Sequence, residues 1–384
     1  MNKAAIVGVG HSKFGVRREA SLRELAFEAV RDCLSDANLS LSEIDASVTG
    51  VCISELAREV NPSFPIAEYI GMNPKPDFRV ASACATGSAA IRTAWMGISS
   101  GLYDVVLVIG AEKMTESPTP VVTEVMGRGG DVQWEYAYGT TFPGYYAMMA
   151  NRHMHEFGTT HEQLAMVAVK NHRNALDNPY AQFRKEINVE KVLGSPMVAY
   201  PLTLFDCCPL TDGAAAVILA SEEKARKITD TPIWLVGLGL ATDSHTLSNR
   251  ETLVGIPAST IAFKQASKMA KVTHKDIDVV EVHDCFTIAE IMAYEDLGFC
   301  EKGEGGKLIE EGVTEIGGEI PVNTDGGLKA KGHPVGATGV SQTVEITKQL
   351  RGEAGKRQVE GAEVGLSHNV GSSGQSVFVH IYRR

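Results

Sequence analysis

Residues 42–53 read "SEIDASVTGVCI" and residues 275–286 read "KDIDVVEVHDCF". Each is an acidic turn, then an apolar run of strand character, then a cysteine, so that Cys52 stands opposite Cys285. Three more pairs follow the same order. "IVGVG" (Ile6 to Gly10) precedes the first copy and "LVGLG" (Leu235 to Gly239) the second. "CATGSAA", from Cys84, is answered by "GATGVSQ", from Gly336, and "YDVVLVIGAEKM" (Tyr103 to Met114) by "AEVGLSHNVGSS" (Ala362 to Ser373). Each match is weak alone, but four in one order describe an internal duplication. Both copies alternate strand and helix, which predicts an α/β fold of two βαβαβ halves.

The first helix is announced by a capping box, Ser21 with Glu24, and by an apolar face through Leu25, Ala26, Ala29, Val30 and Cys33. Between about residues 115 and 205 lies a segment rich in Met, Tyr, His and Asn with no counterpart in the second copy. Insertions on a scaffold commonly build a binding face. The expected organisation is an N-terminal half, 1–230, carrying this insertion, and a C-terminal half, 231–384.

Composition excludes several classes. With 384 residues, 44% of them hydrophobic and 22% charged, the chain can bury a large core. Its formal net charge is -11, without a basic cluster to track phosphates, so no nucleic-acid partner is expected. The opening "MNKAAIVGVGHSKFG" is too short in apolar residues for a secretory signal, and no later run approaches a membrane span. A cytoplasmic protein without membrane contact is expected. Its seven cysteines lack CxxC pairs and read as thiols. Gly8 and Gly10 lack the third glycine of a dinucleotide fingerprint, Lys13 standing there.

Two cysteines and two histidines attract chemical interest. Cys84 precedes an Ala-rich helix pattern, where the helix N-terminus lowers a thiol's pKa; packing at a crowded helix start is an equally good account. His333 stands at the equivalent start in the second copy, fixed by Pro334. If the halves face each other, Cys84 and His333 form a nucleophile and its base. Cys285 lies beside His283, and from that stretch alone core packing is the better account. The turn "HNVGSSG" (His368 to Gly374) offers backbone N–H groups for an oxyanion, or is simply a tight turn. His153, His155 and His161 lack a standard ligand spacing, and no metal is expected.

"SACATG", "HDCF", "GHPVGATG" and "HNVGSSG" together resemble the thiolase family, and within it the archaeal, sterol-carrier-protein-type subgroup with its HDCF motif. The resemblance spans the chain. It implies the thiolase fold, a layered α-β-α-β-α core with an inserted loop domain. HDCF stands where common thiolases have NEAF, and Asn369 replaces the second catalytic cysteine of their CxG motif, a task the resemblance moves to Cys285. It further implies Cys84 as nucleophile, His333 as its base, His283 with His333 at the enolate oxygen, and the N–H groups of Cys84 and Gly371 at the acyl oxyanion, with Asn369 in support.

The activity so implied is that of an acetyl-CoA C-acetyltransferase: Claisen condensation of two acetyl-CoA to acetoacetyl-CoA and CoA by a ping-pong acyl-cysteine route, reversible as thiolysis, feeding mevalonate and isoprenoid synthesis. Coenzyme A thioesters are substrates, and no cofactor is expected. Degradative cleavage of longer 3-ketoacyl-CoA is the enzyme alternative, and a non-catalytic scaffold that binds CoA the other. Family partners would be further copies, as a dimer or tetramer, together with hydroxymethylglutaryl-CoA synthase and a small zinc-ribbon OB-fold protein.

Overall fold

The computed structural model describes residues 2–384. Nine strands share one sheet: β1 (Ala4–His11), β2 (Ala46–Gly50), β3 (Asp77–Val80), β4 (Val105–Glu112), β7 (Gly213–Ser221), β8 (Ile233–Thr242), β9 (Val279–Glu281), β10 (Val364–Gly371) and β11 (Ser376–Arg383). The short β5 (Met197–Ala199) and β6 (Leu202–Thr203) pair apart in the insertion. The longer helices are α1 (Leu22–Ala37), α2 (Thr86–Ser99), α3 (Thr119–Gly127), α4 (Phe142–Phe157), α5 (His161–Asn174), α6 (Pro257–Ala270), α7 (Thr287–Asp296) and α8 (Thr338–Arg351).

In the sheet order β3-β2-β4-β7-β1-β8-β11-β10-β9 the run β2-β4-β7-β1 is answered from the other end by β9-β10-β11-β8, as a duplication requires, with β3 an extra edge strand of the first half. The halves join at β1 and β8 through only two residue pairs, Ala5 with Trp234 and Ile6 with Ile233. Helix α1 covers β1 and β7 on one outer side, α6 covers β8 and β11 on the other, and α2 with α8 lies between. Separate apolar cores mark these layers. One carries Leu25 and Ala29 of α1, one Ile91 of α2 with Val340 of α8, and one Ala262 and Ala266 of α6. The layered thiolase-like architecture is therefore present. The capping box at Ser21 and Glu24 is also in place.

The repeated glycine pairs now have a cause. A Cβ on Gly10 would lie 2.0 Å from the Ala29 carbonyl of α1, and one on Gly239 1.8 Å from the Ala262 carbonyl of α6. Each outer helix thus rests on a bare strand backbone. Gly239→Ala is expected to cost about 3 kcal/mol, the upper end for overpacking, because the obstructing atom is backbone. A denaturant titration with an unchanged midpoint would show that α6 yields without strain.

A second close approach sets the site. Gly87 of α2 meets Gly339 of α8, where added Cβ atoms would stand 2.8 Å from the Gly339 nitrogen and 2.3 Å from the Ser88 nitrogen respectively. The two inner helices cross backbone against backbone near their N-termini, so the loops that feed them converge.

Candidate active site

Cys84 leaves β3 and enters α2 through Ala83, whose φ of +48° is left-handed for a residue with a side chain. Thr86 holds that bend, its hydroxyl accepting from the Ser82 N–H at 2.8 Å and donating to the Ala83 carbonyl at 2.6 Å. His283 and Cys285 lie between β9 and α7, and His333 just ahead of α8. Cys84 Sγ and one ring nitrogen each of His283 and His333 all fall within 4.8 Å of one another. The two imidazoles stand 5.0 Å apart, nearly perpendicular. Cys285 is buried in the same apolar cluster as Cys84.

Hydrogen bonding fixes the two imidazoles in opposite senses. When Thr338 Oγ1 donates its single proton to the Pro334 carbonyl at 3.1 Å, it accepts from His333 Nδ1 at 2.7 Å. That leaves a lone pair on His333 Nε2. Asn369 donates Nδ2–H to the Cys84 carbonyl at 3.2 Å and to His283 Nδ1 at 3.1 Å. A flipped amide would set its oxygen against that carbonyl. His283 therefore accepts on Nδ1 and carries its proton on Nε2. Both Nε2 atoms are buried without a protein partner, one an acceptor and one a donor.

Burial dominates the electrostatics. It pushes the Cys84 thiol up to about 12, with Glu112 adding to the rise and the N–H groups of Ser372 and Cys84 opposing it. The expectation that the helix end lowers this pKa is thus overturned: the N–H groups only offset the loss of water around a side chain packed beside Ile53, Phe142 and Val335. Burial and then Lys331 pull His333 down to about 3. The resting pair is a neutral thiol with a neutral imidazole. Burial also raises Cys285 well above the ordinary thiol range and lowers His283 well below that of imidazole.

Two small recesses reach these groups. One of about 210 Å³ meets Cys84 between Ile53, Met126, Phe142 and Val335. The other, about 120 Å³, meets Cys285 and His333 between Met114, Met126, Phe142 and Phe286. Met148, Met149 and Met154 of the Met-rich insertion line neither recess: Met149 packs in the core and Met148 faces outward. Cys207 and Cys208 both line the second recess.

Supporting residues escaped the sequence reading. Glu112, at the end of β4, accepts from the N–H groups of Cys52 (3.0 Å), Ile53 (3.1 Å) and Gly336 (3.0 Å), tying the two halves together under Cys84. An acid closing an otherwise apolar strand was the available signal. Asp284 accepts from the N–H groups of Leu328 and Lys329 and from Asn171, locking the His283–Cys285 turn to the segment that leads to His333. Ser372, one residue past Gly371, directs its N–H at Cys84. His153 is committed to Thr159 and Glu295. Cys84, His283 and His333 are spaced as soft-metal ligands, but the Asn369 contact turns the Nε2 proton of His283 inward, where a ligand needs a lone pair.

The chain belongs to the thiolase family. The thiolase N-terminal domain family matches residues 3–223 and the thiolase C-terminal domain-like family residues 239–384. It is 49% identical to an acetyl-CoA acetyltransferase of Methanothermobacter thermautotrophicus, over 100% of both chains. It is 37% identical to sterol carrier protein 2 of Bos taurus, over 100% of this chain and 72% of the relative. Among solved structures, the Ltp2-ChsH2(DUF35) aldolase superposes with TM-score 0.85 at 26% identity, covering 99% of this chain and 97% of that one. Human mitochondrial 3-ketoacyl-CoA thiolase superposes with TM-score 0.79 at 17% identity, covering 100% and 98%. The protein is accordingly an enzyme, a thiolase-family acyltransferase.

Proposed function

We propose that the protein is an acetyl-CoA C-acetyltransferase, condensing two acetyl-CoA to acetoacetyl-CoA and CoA and catalysing the reverse. The carrying observation is the convergence of Cys84 Sγ with one ring nitrogen each of His283 and His333 within 4.8 Å, both Nε2 atoms being buried without a protein partner. Cys84 Sγ attacks the thioester carbonyl as its proton passes to His333 Nε2, and that proton leaves with the departing CoA sulfur. The N–H groups of Cys84 and Gly371 hold the oxyanion. Cys285, its own proton passed to His333 Nε2 in the recess they share, takes an α-proton from the second acetyl-CoA, leaving the electron pair in an enolate. The His283 Nε2–H donates to the enolate oxygen, and a water bound to His333 Nε2 supplies a second proton contact. The enolate carbon then attacks the acetyl carbonyl, the bond to Cys84 breaks with its electron pair on sulfur, His333 returns its proton to that thiolate, and acetoacetyl-CoA departs.

Other features extend this reading. The acetyl-CoA acetyltransferase relative supports acetyl-CoA as substrate, and the small recesses favour a short acyl chain. CoA thioesters then serve as substrates, with no cofactor or metal in any step. We read residues 1–230, with their insertion at 115–205, and 231–384 as the two halves. No helix of the described residues is long and apolar enough to cross a membrane, which fits a cytoplasmic place. Condensation is uphill, so a consumer of acetoacetyl-CoA such as hydroxymethylglutaryl-CoA synthase, on the route to mevalonate, is a natural companion. The like-folded aldolase that carries a DUF35 component supports a small accessory partner as well. Assembly as a homodimer or tetramer completes the proposal.

Thiolysis of a chain-length series tests it. Acetoacetyl-CoA should be cleaved faster than long 3-ketoacyl-CoA by about tenfold or more, since each misfit methylene costs in a tight pocket. Equal or faster cleavage of long chains would favour the degradative reading, and no turnover of any would favour the scaffold.

A further inference from the structure

Tyr146 lies on α4, inside the inserted segment, fully buried, and no step above employs it. Its ring packs on Phe286, the neighbour of Cys285, with centroids 4.7 Å apart, and on Phe142 at 5.9 Å. Its hydroxyl donates to the Ser372 carbonyl at 3.1 Å, and it lies beside Cys285 in the same buried cluster, close enough to act on that thiol. The N–H of the same Ser372 faces Cys84. One phenol thus meets the side chain of Cys285 and, through a single residue, the loop that faces Cys84.

A hydroxyl has one proton and two lone pairs. While Tyr146 donates to Ser372, its oxygen can accept only from the thiol S–H of Cys285. Turned about its C–O bond, it offers its proton to the thiolate.

We propose that Tyr146 is a positioning residue that makes Cys285 an effective proton acceptor, its O–H swinging from the Ser372 carbonyl to the Cys285 thiolate when the thiol ionises. The proposal rests on the assignment of Cys285 as the group that takes the α-proton. In that step the α C–H bond breaks, its electrons stay in the enolate and its proton goes to Sγ, while Tyr146 keeps its own. Burial raises Tyr146 well above the ordinary phenol range, so it stays protonated and serves as a donor throughout.

Tyr146→Phe removes one oxygen and keeps the ring. The full-length chain is compared with its Tyr146→Phe and Cys285→Ala variants in two assays: radiolabel transferred from acetyl-CoA to Cys84, and deuterium uptake into the methyl group of acetyl-CoA in D2O. The phenylalanine variant should acquire label at the parent rate, which also shows that its site is folded. It should exchange deuterium about tenfold more slowly at neutral pH, with the alkaline rise in exchange moved up by about one pH unit, the weight of a charge-assisted hydrogen bond. Parent exchange and an unmoved profile, or equal losses in both assays, overturn the proposal. If Cys285→Ala itself exchanges normally, the assignment of Cys285 fails and the role of Tyr146 falls with it. Loss of exchange in Cys285→Ala beside normal exchange in Tyr146→Phe refutes the tyrosine alone.

Discussion

Cys285→Ala is expected to take up acetyl label from acetyl-CoA at the parent rate and yet to form almost no acetoacetyl-CoA. Acyl transfer to Cys84 needs a nucleophile, a base and an oxyanion site; it needs no α-proton abstraction. Condensation does, and removal of a positioned proton-transfer group costs about 10²-fold or more. The turn that carries Cys285 should survive the change. Asp284 stays bound to Leu328, Lys329 and Asn171, and the Cys285 carbonyl still accepts from the Cys208 N–H at 3.0 Å. A purely structural cysteine predicts the reverse: a stability loss of about 1 kcal/mol with turnover nearly intact. Label stoichiometry and product formation in one preparation decide between them. Near-parent condensation by the variant would remove Cys285 from the mechanism. Cys84→Ala, measured alongside, should acquire no label.

His333→Ala is expected to depress both half-reactions, with acylation falling by about 10² to 10⁴-fold, the range for general base catalysis. The effect is large because the Cys84 thiol is held protonated, so every attack must shed a proton to Nε2. The pH profile supplies a second check. A histidine near 6.5 would lose base tenfold per unit below that value. His333, pulled down to about 3 by burial and then by Lys331, keeps its lone pair. The parent labelling rate should therefore show no acid limb between pH 7 and pH 5. A limb near 6.5 would mean that His333 is not the base, or that the resting pair is ionised.

The duplication was legible because a repeated close contact leaves a repeated glycine. Gly8 and Gly10 answer Gly237 and Gly239 since each outer helix lies on a bare strand, and Gly87 answers Gly339 where the inner helices cross. Cys84, His283, Cys285 and His333 were also visible, each in a turn that leads into a helix. What escaped depends on contacts between distant segments. Glu112 serves Gly336 from 224 residues away, and Tyr146 reaches Ser372 across 226. The direction of the Cys84 pKa was missed for a related reason. The helix end is local and readable, whereas the desolvation that outweighs it comes from Ile53, Phe142 and Val335 in other segments.

The crossing of the inner helices at Gly87 and Gly339 also sets the order in which chemistry becomes available during synthesis. Cys84 is translated early, yet Asn369, which steadies both its carbonyl and His283, follows 285 residues later. A nascent or truncated N-terminal half carries a thiol without a base, a proton acceptor or a donor to the enolate. Contacts of such sequence separation make folding slow, because loop closure precedes their reward. The reactive centre is consequently among the last parts of the molecule to exist, and a chain that stalls before residue 333 cannot acylate itself in passing.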